Sequence, residues 1–168
     1  MRRPTLVLFA LIVSSLCGCP TPKQPPATFQ SESHGHSHDR EHLKLVDVAG
    51  TDYHAGLTSH LSSKEGNELD VLFETVDTPP KPVPLPLASF RATAKTADGK
   101  EYALEFTPAP KDERKDDPDG KCSHFSAKAG WMKPEDTLVV TATVHIDGKE
   151  RTVTWKGFNP KKYAHHEE

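Results

Sequence analysis

The sequence has few cysteines, and this scarcity excludes one class of protein. Only three occur among 168 residues, at positions 17, 19 and 122. Small secreted domains that cannot build a sufficient apolar core are usually held together by several disulfides. With so few thiols this chain cannot be a disulfide-rich scaffold, so its stability has to come from packing.

The sequence also lacks an excess of basic charge and the common catalytic motifs. It carries 21 Lys and Arg against 24 Asp and Glu, which gives a formal net charge of −3 at pH 7. Nucleic-acid binding needs clustered positive charge, so we expect no nucleic-acid partner. The chain contains no GxSxG, HExxH or glycine-rich phosphate-binding motif, so we expect that it is not an enzyme.

Long apolar runs are absent after the first residues. Arg2 and Arg3 precede the apolar stretch Leu6 to Val13, which is as long as the hydrophobic part of a secretory signal. This stretch is too short to cross a bilayer as a mature helix, and no later run is long enough either. We therefore predict that residues 1–18 are a signal peptide.

The residues after this apolar stretch, Leu16-Cys17-Gly18-Cys19, resemble the bacterial lipobox. The resemblance implies a lipoprotein precursor that is cleaved before Cys19 and acylated there, for example with palmitate. Several acyl chains on one residue anchor a protein stably to a membrane. The domain would then be anchored to a membrane of the cell envelope, on its periplasmic side. The alternative is ordinary cleavage near Gly18, which leaves Cys19 unmodified.

Composition divides the exported chain into three parts. Residues 19–42 are rich in proline, polar residues and histidine, which predicts a disordered tether. Apolar patterning begins at Leu43, and we predict a β-sandwich domain over residues 43–162. Residues 163–168 form a short tail rich in His and Glu.

Short runs of period-two alternation, separated by Gly and Pro, indicate an all-β fold. About seven strands are expected, which favours an immunoglobulin-like antiparallel β-sandwich. The candidate strands outside the hairpins are 43–48, 53–61, 68–76 and 122–131. For residues 58–67 the alternative is a helix. Five prolines in 79–86 predict an extended connector at an edge or a crossing, and the charged stretch 108–120 predicts a solvated loop.

Two hairpins have registers that can be argued from the residues. A three-residue loop, Ala97-Asp98-Gly99, pairs apolar residues with each other, whereas a two-residue turn mixes polar with apolar residues. At Asp147-Gly148 the two-residue turn is the better choice. The predicted pairs are Phe90 with Phe106, Ala92 with Leu104, Ala94 with Tyr102, Val144 with Arg151, Ala142 with Val153, and Val140 with Trp155.

Histidines cluster at both ends of the exported chain. They are His34, His36, His38 and His42 near the start, and His165 and His166 near the end. Imidazole is a common metal ligand and is mostly neutral near pH 7, so these segments predict binding of Zn, Cu or Ni ions. In composition they resemble the His-rich loops of zinc transporters and zinc-binding periplasmic proteins. The alternative is that they are solvated polar tails.

A second metal site follows from strand alternation. Strand 122–128 would direct Cys122 and His124 outward, and strand 138–146 would direct His145 outward. If the intervening loop joins these strands as a hairpin, four side chains share one sheet face and form a copper or zinc site. They are Cys122, His124, His145 and Glu150. The alternative is a packed thiol beside ordinary surface histidines.

Two functions are consistent with these features. The first is a membrane-anchored envelope lipoprotein that binds or buffers a divalent transition metal, as an accessory to a metal transporter. The second is a non-catalytic sandwich that docks onto another envelope protein and whose histidines are incidental. The proline-rich connector and the exposed strand edges would serve this second function.

Overall fold

Alternating apolar residues build nine β-strands in the part of the chain that the computed structural model describes, residues 40–114 and 116–165. The one helix in these ranges is a single 3-10 turn, Arg40–His42. The strands are β1 (Lys44–Asp47), β2 (Tyr53–His60), β3 (Glu68–Thr75), β4 (Phe90–Thr96), β5 (Glu101–Pro108), β6 (His124–Lys128), β7 (Leu138–Ile146), β8 (Lys149–Phe158) and β9 (Ala164–His165).

The strands form one continuous, folded sheet. Their order is β1-β2-β3-β6-β5-β4-β7-β8 with antiparallel neighbours, and β9 pairs with β2 in parallel. β5 connects the two halves because it pairs with β4 along most of its length and with β6 at Thr107 and Pro108. The predicted antiparallel β-sandwich is confirmed. Its strand order differs from that of an immunoglobulin domain, where the second strand pairs with the fifth.

The inner faces of both halves enclose one core. Trp155 of β8 is fully buried, and its indole N–H donates to the carbonyl of Ala55 on β2 over 3.0 Å. The ring of Phe90 stacks on Phe106 at 5.0 Å and meets Phe125 edge-on at 5.1 Å. Full burial of such a side chain contributes roughly 1.5–3 kcal/mol, so this aromatic cluster is a main source of stability.

Both predicted hairpin registers are confirmed. Phe90 pairs with Phe106 and Ala92 with Leu104, and Gly99 has the positive φ of 88° that the bulged loop requires. In the second hairpin Val140 lies opposite Trp155. Its turn residues, Asp147 and Gly148, have φ values of 52° and 71°, as a two-residue type I′ turn demands.

The region that could have been helical is a strand followed by a turn. β2 continues to His60. The side chain of Asn67 then accepts a hydrogen bond from the backbone N–H of Ser62 over 3.2 Å, and the Ser62 hydroxyl accepts one from Glu65 over 3.0 Å. These local bonds favour a turn over a helix in residues 62–67.

The proline-rich connector packs against the sheet and crosses from β3 to β4. Proline lacks a backbone N–H, so only the residues between the prolines can donate. Val83 donates to the carbonyl of Phe73 over 2.8 Å, and Leu85 donates to Cys122 over 2.8 Å. Both Val83 and Leu85 are buried. The alternation of proline with apolar residues therefore places the donors where the sheet can accept them.

Candidate functional site

The first and last strands of the described chain meet beside the end of β2. The Tyr163 carbonyl accepts hydrogen bonds from the Ser59 N–H at 3.1 Å and from the Thr58 hydroxyl at 2.6 Å. The ammonium of Lys44, at the start of β1, lies 5.5 Å from the centre of the Tyr163 ring. We call this region the chain-end corner. It comprises Lys44, residues 58–60 and residues 163–165.

A tight turn after β8 returns the chain to this corner. The side-chain oxygen of Asn159 accepts a hydrogen bond from the N–H of Lys162 over 2.8 Å. The Ser59 hydroxyl donates to the carbonyl of Pro160 over 2.7 Å. Ala164 is fully buried in β9. The first residues of the segment named as a tail, 163–165, therefore lie against the sheet, because Ala164 and His165 pair with Ser59 and His60 of β2.

The predicted metal ligands at the chain ends fall partly within this corner. His165 is the register partner of His60 across β9 and β2, and His42 ends the 3-10 helix just before β1. The other predicted residues lie outside the described part of the chain. They are His34, His36, His38, His166 and the lipidation residue Cys19. Within residues 40–114 and 116–165, no group of three His, Cys, Asp or Glu side chains is already arranged to hold a metal ion.

The second predicted metal site is not assembled. His145 and Glu150 face each other across β7 and β8, as predicted. Cys122 and His124, however, belong to the other half of the sheet, because β6 pairs with β3 and β5 and not with β7. The predicted hairpin of β6 with β7 is therefore wrong, since the loop between them connects the two halves.

Cys122 is a packed core residue. Its side chain is buried, and its thiol donates to the carbonyl of His124, with the sulfur and oxygen 2.6 Å apart. Burial raises the pKa of the Cys122 thiol above its ordinary value. The expectation that Cys122 faces outward is wrong, because the chain before β6 pairs with Leu85 of the connector. A buried neutral thiol is a poor metal ligand and a poor nucleophile.

His124 lies in a buried cluster of acidic groups, although it was expected on the surface. Its side chain is only 3% exposed. One ring nitrogen, Nε2, lies 3.3 Å from a carboxylate oxygen of Asp70 on β3, and Nδ1 lies 3.7 Å from Glu113. The side chain of Asp70 is 9% exposed. We call these three residues the acid–imidazole cluster. The cluster couples β3, β6 and the charged loop through buried polar contacts.

The charged loop that covers His124 makes several hydrogen bonds to its own ends and to the chain before β6. The carboxylate of Asp117 accepts hydrogen bonds from the N–H and the hydroxyl of Ser123 at 2.7 and 2.8 Å. The guanidinium of Arg114 donates to the carbonyl of Ala109 over 2.7 Å, and Ala109 is buried. Alternation on β6 was predicted correctly, and Lys128 on the outer face is exposed, but this loop covers His124 at the other end of that face.

A cleft of about 270 Å³ opens between this loop and the proline-rich connector. Its lining is more apolar than polar, with Phe73 and Pro82 among the apolar residues and Lys81, Glu113 and Asp116 among the charged ones. Charged groups of both signs within a mainly apolar lining suit an amphipathic ligand or an amphipathic segment of a partner.

Comparison of the chain with protein families, with curated proteins and with solved structures finds no match. No helix in residues 40–114 and 116–165 is long and apolar enough to cross a membrane.

The acid–imidazole cluster was missed because its parts are far apart in the sequence. Asp70 and Glu113 are separated by the connector and by a whole hairpin. One local signal was present, since Asp70 interrupts the apolar run of β3 between Leu69 and Val71. An acidic residue within a buried strand requires a polar partner, so Asp70 itself predicts a buried polar group, such as a histidine, beside it.

Proposed function

We propose that the protein is a membrane-anchored lipoprotein of the cell envelope that captures a divalent transition metal through the histidines at its chain ends. The anchor is proposed from the lipobox resemblance at Leu16 to Cys19. The ions proposed are Zn, Cu or Ni, and the partner proposed is a metal transporter in the same membrane system.

The observation that carries this proposal is the contact between the two ends of the domain. In the sequence the His-rich segment 34–42 directly precedes β1, and His165 and His166 follow Tyr163. The Lys44 ammonium lies 5.5 Å from the centre of the Tyr163 ring, so the described chain begins and ends near one corner of the domain. We propose that the two segments share an ion, since imidazoles supplied together bind such an ion more tightly than either segment alone.

Calorimetric titration with Zn²⁺, Cu²⁺ and Ni²⁺ at pH 7 tests metal capture. Replacement of His34, His36, His38 and His42 by Gln should weaken binding strongly. Replacement of the tether prolines Pro22, Pro25 and Pro26 by Ser serves as the control and should leave affinity unchanged. Binding should also weaken as the pH falls through about 6.5, because protons compete for the same nitrogens. Equal metal affinities of the histidine variant and the proline variant would refute the proposal.

The anchor has a separate test with its own matched control. Mass spectrometry of the mature N-terminus should find acyl groups on Cys19, and Cys19→Ser should abolish them. Cys17→Ser should leave processing intact, because Cys17 lies within the segment that is removed. A mature chain with an unmodified Cys19 thiol would contradict the lipoprotein assignment.

A second candidate function is docking of another envelope protein at the cleft between the charged loop and the proline-rich connector. The observation that favours it is the set of charges lining the cleft, among them Lys81, Glu113 and Asp116. The unaltered protein should then recover a stoichiometric partner in a pull-down from detergent-solubilised envelopes. A variant in which the charges of Lys81 and Asp116 are reversed should not recover that partner. A pull-down that is identical for this variant and the unaltered protein would count against docking at the cleft.

A further inference from the structure

We propose that Lys44 and Lys162 form a docking surface for the anionic headgroups of the membrane to which the protein is tethered. We call these two residues the lysine pair. The inference rests on the lipid anchor proposed above, and it adds a direct contact between the folded domain and the bilayer.

Two ammonium groups converge on one aromatic ring at this surface. The Lys44 ammonium lies 5.5 Å from the centre of the Tyr163 ring, and the Lys162 ammonium lies 5.2 Å from it. The fully buried Phe158 stacks on the same ring with 5.3 Å between the ring centres, so protein already covers one face of Tyr163. The ring attracts both cations and thereby brings two like charges close together. Like charges held near each other favour an anion beside them.

The lysine pair has no carboxylate partner among residues 40–114 and 116–165. Four other lysines do have one within 4.0 Å, at positions 95, 100, 111 and 128. The Lys44 ammonium instead lies 3.5 Å from the carbonyl oxygen of Gly157. The described stretch 155–165 contains three lysines and no acidic residue. This part of the domain therefore presents positive charge that its own carboxylates do not neutralise.

The backbone that carries the lysine pair is held by the sheet. The Tyr163 carbonyl accepts two hydrogen bonds from β2, at 2.6 and 3.1 Å. The N–H of Lys162 donates to the side-chain oxygen of Asn159 over 2.8 Å. Lys44 is the first residue of β1. Because the backbone is already fixed, binding an anionic surface costs only the freedom of the lysine side chains.

The anchor makes a membrane the favoured source of the anion. Lys44 follows Cys19 by 25 residues, and a flexible chain of that length spans on the order of 30 Å. An acylated Cys19 would thus keep the lysine pair close to the headgroups, so that even a weak attraction is effective. Phosphate groups of anionic lipids attract ammonium groups at the membrane surface. Tyrosine rings also favour the membrane–water interface, which suits Tyr163 beneath the two lysines.

The test measures binding of residues 19–168 to lipid vesicles, with Cys19→Ser so that no acyl group contributes. Vesicles of phosphatidylglycerol and phosphatidylcholine present an anionic surface, and vesicles of phosphatidylcholine alone present a neutral one. The protein should sediment with the anionic vesicles at low ionic strength and dissociate as salt is added, because salt screens the attraction. It should not sediment with the neutral vesicles.

A matched pair of double variants locates the surface. Lys44→Gln with Lys162→Gln removes two positive charges from the proposed surface. Lys81→Gln with Lys149→Gln removes two at the far end of the sheet, where Lys149 begins β8 and Lys81 bonds to the end of β3. The first variant should bind anionic vesicles at least about tenfold more weakly, as expected for two basic residues near an anionic surface. The second should bind like the unaltered domain.

A charge-preserving variant separates loss of charge from loss of structure. Lys44→Arg with Lys162→Arg keeps both positive charges and should retain vesicle binding. Far-ultraviolet circular dichroism establishes that each variant is folded. Equal vesicle binding of the two glutamine variants would overturn the docking surface.

Two further outcomes distinguish the source of the anion and the anchor. At equal ionic strength, inorganic phosphate should displace the protein from vesicles no more than chloride does. Stronger displacement by phosphate would overturn membrane docking in favour of a site for free phosphate. If Cys19 is found acylated but the domain ignores anionic vesicles at low ionic strength, the anchor stands and this inference fails. If the domain binds them through the lysine pair but Cys19 is unmodified, the docking surface stands and the anchor fails.

Discussion

Replacing Asp70 by Ala should lower the free energy of unfolding much more than replacing Asp47 by Ala. Each aspartate contacts a histidine in the same half of the sheet. The exposed contact is the shorter one, at 3.0 Å between Asp47 and His54, against 3.3 Å between Asp70 and His124. If the distance between the two groups determined the stabilisation, Asp47→Ala would lose more free energy of unfolding than Asp70→Ala. We expect the burial of the pair to determine it.

The magnitudes follow from the exposure of the two carboxylates. The Asp47 side chain is 88% exposed, so water solvates it in both states, and its loss should cost less than about 1 kcal/mol. The Asp70 side chain is 9% exposed and that of His124 is 3% exposed. Removing one partner of a buried polar pair costs about 1–3 kcal/mol when the remaining group is neutral and about 3–5 kcal/mol when it is charged. We expect a loss of at least about 2 kcal/mol for Asp70→Ala.

Urea unfolding followed by tryptophan fluorescence measures the difference, because Trp155 is fully buried and reports on the core. Asp70→Ala should lower the urea midpoint clearly with little change in slope. A double-mutant cycle with His124→Ala isolates the interaction between the two side chains. Equal losses for Asp70→Ala and Asp47→Ala, or a loss below about 1 kcal/mol for Asp70→Ala, would refute the reasoning.

Two further predictions concern a glycine and the thiol. Gly50 has a φ of 72°, and an added Cβ would lie 2.5 Å from the Arg151 guanidinium, which donates to the carbonyls of Ala49 and Gly50. Gly50→Ala should therefore cost more in urea unfolding than Gly99→Ala, where φ is 88° but the space is open; equal costs would contradict this. The pKa of the Cys122 thiol is raised by burial, so above the ordinary value of 9.0 the unfolded chain loses its proton first. The free energy of unfolding should then fall as the pH rises past 9.0, and Cys122→Ala should remove that part of the slope.

Local patterns were sufficient to predict the hairpins. In the β4–β5 and β7–β8 hairpins the loop residues fix the turn type, and apolar pairing then leaves one register. Both registers were predicted residue by residue. The strands before the connector were also placed to within two residues, because Gly, Pro and charged residues mark their ends.

The pairing of strands that are far apart in the sequence could not be predicted from local patterns. β6 could form a hairpin with β7 as far as loop length is concerned, yet it pairs with β3 and β5. That choice is set by the fit of a whole core, which no local window contains. Exposure of His124 was misjudged for a related reason. Its face of β6 was inferred correctly, but a charged loop with few apolar residues gave no sign that it would cover a histidine.

Pairing of β9 with β2 also constrains the order in which the domain can be completed. β2 begins 13 residues after the 3-10 helix starts at Arg40, so it is among the first segments of the described domain to be made. Its edge next to residues 59 and 60 is filled only by residues 164 and 165. A ribosome that still holds residues 164 and 165 therefore holds a domain whose β2 edge is open beside an early strand. Closure of this edge must wait until those residues have emerged, so we expect this corner to be the last part of the described domain to form.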